Sequence, residues 1–337
     1  MMKTKEEPMD GLRLSRRTWL AASAALAAAP FVARSARAAA DYPNKPVKVI
    51  VPYPPGGGAD TVSRIFFTKL SELFGQQFVI DNRGGAGGTI GAAAAAKADP
   101  DGYTILYDAT AFSVNPFLYP KLPYDTLKDF QPVFLASLVA NLLVVNNAVT
   151  AKTVEDVIAV AKATPEGLPW ASSGNGTVQH LAMEMFRFRT GVKLIHVPYR
   201  GGGPALNDLV SGQVKFFFSN GSSSVGLVKA GTIKAIAHTG RGRLGTLPDL
   251  PPVSDTLPGF EAYEWNGVFV PAGVSPAIIA KLNQGLNAAL KQPDVIDRLT
   301  QLNVEFRPNT PEEFRAFVAS EMERWSKVVR EAGIKLG

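Results

Sequence analysis

The sequence predicts an α/β protein in which two runs of strands and helices follow one another. Three observations carry this. From Asp41 onward short apolar runs alternate with helical patterns, Gly- and Ser-rich loops follow the strands and open the helices, and the alternation halts at a proline-rich excursion before restarting near Thr153. Strands that alternate with helices at this spacing argue for a parallel sheet covered by helices.

The first strand reaches Val51, and a helix from about Asp60 to Phe74 ends at Gly75, a residue suited to a left-handed cap. Phe78 to Ile80 reads as the second strand, Ala92 to Ala98 as a helix and Tyr103 to Tyr107 as the third strand, with the turn Pro100-Asp101-Gly102 between the last two. Prolines at 116, 120 and 123 mark Asn115 to Asp129 as a surface excursion instead of an element. Val133 to Leu138 and Leu142 to Val145 then read as two strands in quick succession.

In the second run Thr153, with Asp156 three residues on, caps a helix to Ala163. Leu168 to Ala171, Leu194 to Val197, Val214 to Phe218 and Ile233 to Ala237 are strands, and helices fall at Val178 to Thr190, up to Ser211 and after Ser224. A proline-rich loop, 240 to 259, precedes the strand Tyr263 to Val270. Pro276 opens a helix to about Gln292, a short helix follows to Leu302, and Thr310-Pro311-Glu312-Glu313 is a capping box for the last helix, whose apolar face holds Phe314, Phe317, Val318 and Trp325.

The first forty residues differ in kind. Ser15-Arg16-Arg17-Thr18-Trp19-Leu20 leads into an Ala-rich apolar run to about Phe31 and then Ala36-Arg37-Ala38-Ala39-Ala40, the layout of a cleaved export signal, with paired arginines of the twin-arginine type. The apolar run is shorter than the roughly 20 residues a membrane span needs. Lys3, Lys5, Arg13, Arg16, Arg17, Arg34 and Arg37 fall there against Glu6, Glu7 and Asp10, so most of the chain's +6 belongs to this segment. What remains is nearly neutral and has no basic cluster, which removes the main support for nucleic-acid binding. The chain has no cysteine, so disulfides, thiolate metal sites, Cys nucleophiles and a lipoprotein anchor are excluded. These features predict a protein free in the periplasm.

Val51-Pro52-Tyr53-Pro54-Pro55-Gly56-Gly57-Gly58-Ala59-Asp60-Thr61 leaves a strand and opens a helix. Backbone N–H groups at a helix start, unobstructed by side chains, suit an anion, although this stretch alone fits a plain connection equally well. Comparable loops occur at Gly84 to Thr89, Ser172 to Thr177, Tyr199 to Pro204 and Ser219 to Ser224. In open α/β sheets ligands bind beyond the carboxyl ends of the strands, so loops from both runs would face one another across a cleft, and one lined by N–H groups and small hydroxyls suits a carboxylate.

Taken together, Tyr42-Pro43, Lys48 to Asp60, Asn82-Arg83 with Gly85 to Gly88, Pro100 to Thr104, Leu122 to Asp125, Gly174 to Thr177, Val197 to Gly202 and Gly212 to Val214 resemble the Bug (Bordetella uptake gene) family, extracytoplasmic solute receptors of tripartite tricarboxylate transporters. The resemblance spans the chain beyond residue 40. It implies a type II periplasmic-binding-protein fold, with residues 41–140 and 263–337 forming one domain and 141–262 the other. It also implies a receptor that is not an enzyme, needs no cofactor or metal, acts as a monomer and passes a di-, tri- or aromatic carboxylate to membrane subunits. The expected ligand contacts are Tyr53, Gly57, Gly58, Ala59, Asp60 and Thr61 from the first half. From the second they are Ser172, Ser173, Asn175, Gly176, Thr177, Tyr199, Arg200, Gly201, Gly202, Ser219 and Asn220. Arg83-Gly84 stands where the family often has Arg-Pro, and Phe216 to Asn220 replaces a stretch that often carries acidic residues.

Rival readings have weaker support. Gly85-Ala86-Gly87-Gly88-Thr89-Ile90-Gly91 lacks the spacing of a dinucleotide loop, and no P-loop occurs. Ser172, Ser173, His180 and Asp208 could compose a hydrolase set for a carboxylate ester, without a G-x-S-x-G elbow. His196 reads as half-buried, and three scattered histidines make no metal motif. Arg200 could pair with a carboxylate or tie down its own loop. Tyr53, Phe112 and Tyr199 could line a pocket or brace loops, and Trp265-Asn266-Gly267 reads as hinge or cleft wall.

Overall fold

Ten strands and ten helices form among the described residues, which in the computed structural model are 41–331, 333 and 334. The segment read as an export signal lies outside them. In chain order the elements begin β1 (Val47–Val51), α1 (Gly58–Phe74), β2 (Phe78–Asn82), α2 (Thr89–Ala96), β3 (Thr104–Ala109), α3 (Ala111–Leu118) and β4 (Phe130–Val145). Next come α4 (Val154–Lys162), β5 (Leu168–Ser172), α5 (Val178–Thr190), β6 (Leu194–Pro198), α6 (Gly202–Ser211), β7 (Phe216–Asn220), α7 (Gly221–Lys229) and β8 (Lys234–His238). The chain ends with β9 (Tyr263–Pro271), α8 (Pro276–Ala289), α9 (Pro293–Gln301), β10 (Val304–Glu305) and α10 (Pro311–Glu331).

The strands run in the order β2-β1-β3-β9-β4-β7-β5-β6, with β8 and β10 also on β4. Pairs within each α/β run are parallel, as the alternation predicts, but every pair that involves β4 or β9 is antiparallel, so the sheet is mixed. β4 holds the molecule together. Its first part, Phe130 to Ala140, pairs with β9 and its last part, Asn141 to Val145, pairs with β7 and β8. The sequence reading broke this strand in two. Asn141, a turn-favouring residue, falls between the two halves, and burial on both faces removes the alternation that would have marked a continuous strand.

At the change of partners the backbone is cross-tied. Asn141 donates its side-chain Nδ2–H to the Ala262 carbonyl at 2.8 Å and its N–H to Thr239 Oγ1 at 2.9 Å, while Thr239 N–H returns to the Asn141 carbonyl at 2.8 Å. Two aromatic cores flank this crossing. Phe112, Tyr124, Phe130, Trp265, Phe269 and Phe314 form one, with Phe112 and Phe269 ring centres 4.3 Å apart. Trp170, Phe186, Phe216, Phe218 and Phe260 belong to the other. Trp265, read as hinge or cleft wall, and Phe112, read as a possible pocket residue, are therefore core residues.

The helix ends follow local chemistry. The reciprocal bonds of Thr153 with Asp156 and of Thr310 with Glu313 are both formed, and Gly75 adopts φ 66° at the end of α1. Two elements were missed, the short strand β10 and the helix α3. The proline-marked excursion begins with α3, in which Pro116 sits in the second half of a short helix and Phe112, Val114 and Leu118 are buried. That burial outweighs the single N–H that Pro116 withholds. No helix of the described residues is long and apolar enough to cross a membrane.

Candidate functional site

Five helices start around one cavity. Its wall includes Gly57, Gly58 and Ala59 at the start of α1, Thr110 and Ala111 at α3, Thr177, Val178 and Gln179 at α5, Gly202 at α6 and Asn220 at α7. Tyr53, Pro54, Ala109, Ser173 and Glu264 complete it. Each helix start carries N–H groups without intrahelical partners and the positive end of the helix dipole. No side chain caps α1, α3 or α6, whereas Thr177 accepts from His180 N–H and Asn220 accepts from Ser222 N–H. The wall contains no Lys, Arg or His, so its positive character is that of the backbone.

Contact across the cavity requires glycine. A Cβ on Gly201, whose φ is +144°, would lie 2.4 Å from Pro54 Cγ, and one on Gly203 would lie 3.2 Å from the Pro55 carbonyl oxygen. The loop after β1 and the loop after β6 thus meet backbone to backbone.

Of the residues expected at the ligand, Tyr53, Gly57, Gly58, Ala59, Ser173, Thr177, Gly202 and Asn220 line this cavity. Asn175, Tyr199 and Arg200 line an adjoining depression of about 450 Å³ together with the Gly84 to Gly88 loop, and Tyr53 and Ser173 are common to both. Tyr199 also donates its hydroxyl to Asp208 at 2.8 Å. The other residues expected at the ligand lie outside this cavity wall and have neighbours of their own. Asp60 accepts from Gly56 N–H, from Arg64 and from Asn82 at 2.9 to 3.0 Å, so its carboxylate folds the loop instead of facing the cavity. Burial pushes its pKa up, but the bonds from Arg64, Gly56 and Asn82 outweigh this and hold it below the usual value. Thr61 donates to the Gly57 carbonyl, Gly176 packs beside Leu118 and Asn115, and Gly201 packs on Pro54. Ser219 is fully buried with its hydroxyl turned to its own strand end.

Ser172 is the instructive case. Its hydroxyl lies 2.6 Å from His196 Nε2, so its histidine partner is His196 and not His180, and it also accepts from Gly174 N–H. His196 stacks on His180 at 4.0 Å, and burial pulls both rings down to about 4. Ser172 is fully buried and Asp208 is engaged by Tyr199, so the hydrolase set does not assemble. Among the described residues no three His, Asp or Glu side chains gather to hold a metal ion.

The sequence reading missed Glu264, Gln179 and Ala109 to Ala111. Glu264 is 7% exposed, lies on β9 and accepts from Gln179 Nε2 at 2.5 Å. The signal available was the alternation of β9. With Trp265 in the core, its neighbour Glu264 must face the other way. Nearby Asp108 accepts from Tyr53 Oη and from Ala109 N–H, and burial raises its pKa to about 7.

A model of the tripartite tricarboxylate transporter family receptor matches residues 62–334. The chain belongs to this family. It is 36% identical over 298 residues to protein BugT of Bordetella pertussis, covering 88% of this chain and 91% of that one. Among solved structures, one from R. palustris with adipate is 35% identical with a TM-score of 0.85, and the periplasmic binding protein BugD is 33% identical with a TM-score of 0.85. Each covers 88% of this chain and all of its own. MatC from Rhodopseudomonas palustris with bound malate is 34% identical, with a TM-score of 0.82 over 86% of this chain and all of its own. The receptor therefore has the solute-binding α/β fold that its motifs implied, in a family of transport receptors and not of enzymes.

Proposed function

We propose that this receptor binds a small organic carboxylate in the cavity ringed by five helix starts and hands it to the membrane subunits of a tripartite transporter. That convergence is the observation that carries the reading. Each helix start contributes up to about 1 kcal/mol to an anion, and more where water is excluded. Relatives solved with adipate and malate lend chemical support.

On this reading residues 41–140 with 263–337 form one lobe and 141–262 the other, with the crossing at Asn141 and Ala262 as the hinge. The mature chain works in the periplasm as a monomer after losing residues 1–40. Ligand contact with both lobes favours the closed state, because only there do both sets of N–H groups reach it. The ligand contacts are Tyr53, Gly57 to Ala59, Ser173, Thr177, Gly202 and Asn220, and Asn175, Tyr199 and Arg200 form an outer rim.

Small carboxylates are expected to raise the melting temperature of the purified protein and to bind at micromolar strength, roughly −8 kcal/mol, in calorimetry. Their amides and methyl esters should do neither. A broad carboxylate panel with no effect on melting or heat would sink the proposal. Asp60→Ala is expected to weaken binding about tenfold, since it leaves Gly56 N–H and Asn82 without their acceptor and frees the loop, a loss of 1–3 kcal/mol for a buried group. Wild-type affinity in a folded Asp60→Ala protein would mean that this loop is not part of the site.

A further inference from the structure

The cavity is not purely a donor surface. Gln179 is 1% exposed and its Nε2 donates both to Glu264 Oε2 and to Asn141 Oδ1 at 2.9 Å. Because both neighbours are acceptors, the orientation of this amide is settled. Its Oε1 is buried and has no hydrogen-bond partner among the described residues. Asn220, 3% exposed, is oriented in the same way, since its Oδ1 accepts from Ser222 N–H at 2.9 Å and leaves Nδ2 without a partner among the described residues. Glu264 forms no ion pair among the described residues, and burial raises its pKa while the bond from Gln179 holds it down.

A ligand made only of acceptors fits this wall badly. It would satisfy the helix N–H groups, but it would leave Gln179 Oε1 unpaired and offer the Glu264 carboxyl no donor. A buried acceptor without a donor is costly. A hydroxyl or ammonium on the ligand relieves both faults at once.

Resting on the carboxylate reading above, we propose that Glu264 and Gln179 form an acceptor pair that selects carboxylates bearing a hydroxyl or ammonium donor over their unsubstituted counterparts. Glu264 is the specificity-determining member. The rejection follows the general rule that a site built to bond a donor excludes the analogue lacking it.

Calorimetry on matched sets of ligands tests this, each set offering one skeleton with hydrogen, hydroxyl or ammonium at the same carbon: succinate, malate and aspartate; glutarate, 2-hydroxyglutarate and glutamate; phenylacetate, mandelate and phenylglycine. For the best-bound skeleton, a hydroxy or amino member is expected to bind at least tenfold tighter than the unsubstituted acid. In Glu264→Gln the amide oxygen must turn to Gln179 Nε2, which presents Nε2–H to the ligand, so the preference is expected to vanish or invert. Thermal melting checks that the variant is folded, and the wild-type comparison needs no variant. Equal binding within the best-bound set, tightest binding by an unsubstituted acid, or a preference that survives Glu264→Gln would each overturn this inference while leaving the carboxylate receptor standing. Failure of every acid in all sets to bind would overturn both.

Discussion

Gly58→Ala is expected to weaken ligand binding at least a hundredfold, about 2.7 kcal/mol, while the unliganded protein remains folded. A Cβ at Gly58 would lie 2.4 Å from Asn220 Cγ and 2.5 Å from its Oδ1, closer than real contacts allow. Asn220 has little freedom to withdraw, because Ser222 fixes its Oδ1. The clash joins the start of α1 to the start of α7, so on the two-lobe reading it penalises only the closed form. In the open form Ala is a better helix residue than Gly by up to about 1 kcal/mol, so the melting temperature without ligand should hold or rise. Shortening the opposing residue, as in Gly58→Ala with Asn220→Gly, should recover part of the affinity. Calorimetry on both variants decides the matter, and wild-type affinity in Gly58→Ala alone would show that these helix starts need not meet around the ligand.

Acid should destabilise the receptor through its stacked histidines. Burial holds His180 and His196 near 4, below the ordinary 6.5, and His180 Nδ1 accepts from Gly176 N–H, a bond that protonation destroys. A depressed folded-state pKa gives stability that is present above pH 6.5 and lost as pH falls toward 4. The shift corresponds to an upper limit on the order of 3 kcal/mol for each ring. Asp108 acts in the opposite sense. Raised to about 7 by burial, it contributes stability that is full below the ordinary carboxylate range and lost as pH rises to about 7. Burial also lowers His238 and raises Glu264, so three rings stand against two carboxyls and urea midpoints should fall between pH 7 and 4.5. His196→Asn should flatten that fall and Asp108→Asn should steepen it. Equal wild-type midpoints at the two pH values would refute the assignment.

The sequence disclosed what is decided locally. Thr153 with Asp156, Thr310 with Glu313 and the glycine after Phe74 each settle a helix end within a few residues, and the Gly- and Ser-rich loops after β1, β5, β6 and β7 announced much of the cavity wall. The start of α3 did not announce itself, because Ala109-Thr110-Ala111 carries no glycine and Pro116 disguised the helix behind it. Asp60 and Ser172 looked like ligand contacts because they are polar residues in the right loops. Their oxygens are instead occupied by Arg64, Asn82 and His196, partners 4 to 24 residues away. Glu264 was out of reach for another reason, since Gln179 is 85 residues distant in the chain and only the fold brings them together.

The place of β9 between β3 and β4 governs the order in which the molecule can be completed. Both neighbours precede residue 130 or begin there, yet the strand that joins them starts only at Tyr263, after the whole stretch paired with the far end of β4 has been made. A chain emerging from its N-terminus therefore exposes two unpaired strand edges until its last quarter arrives, an arrangement that slows folding and invites mispairing. Chains truncated before Tyr263 should be captured by chaperones or aggregate, and a protein of this topology is well matched to a route that keeps it either wholly unfolded or wholly finished before it leaves the ribosome's vicinity.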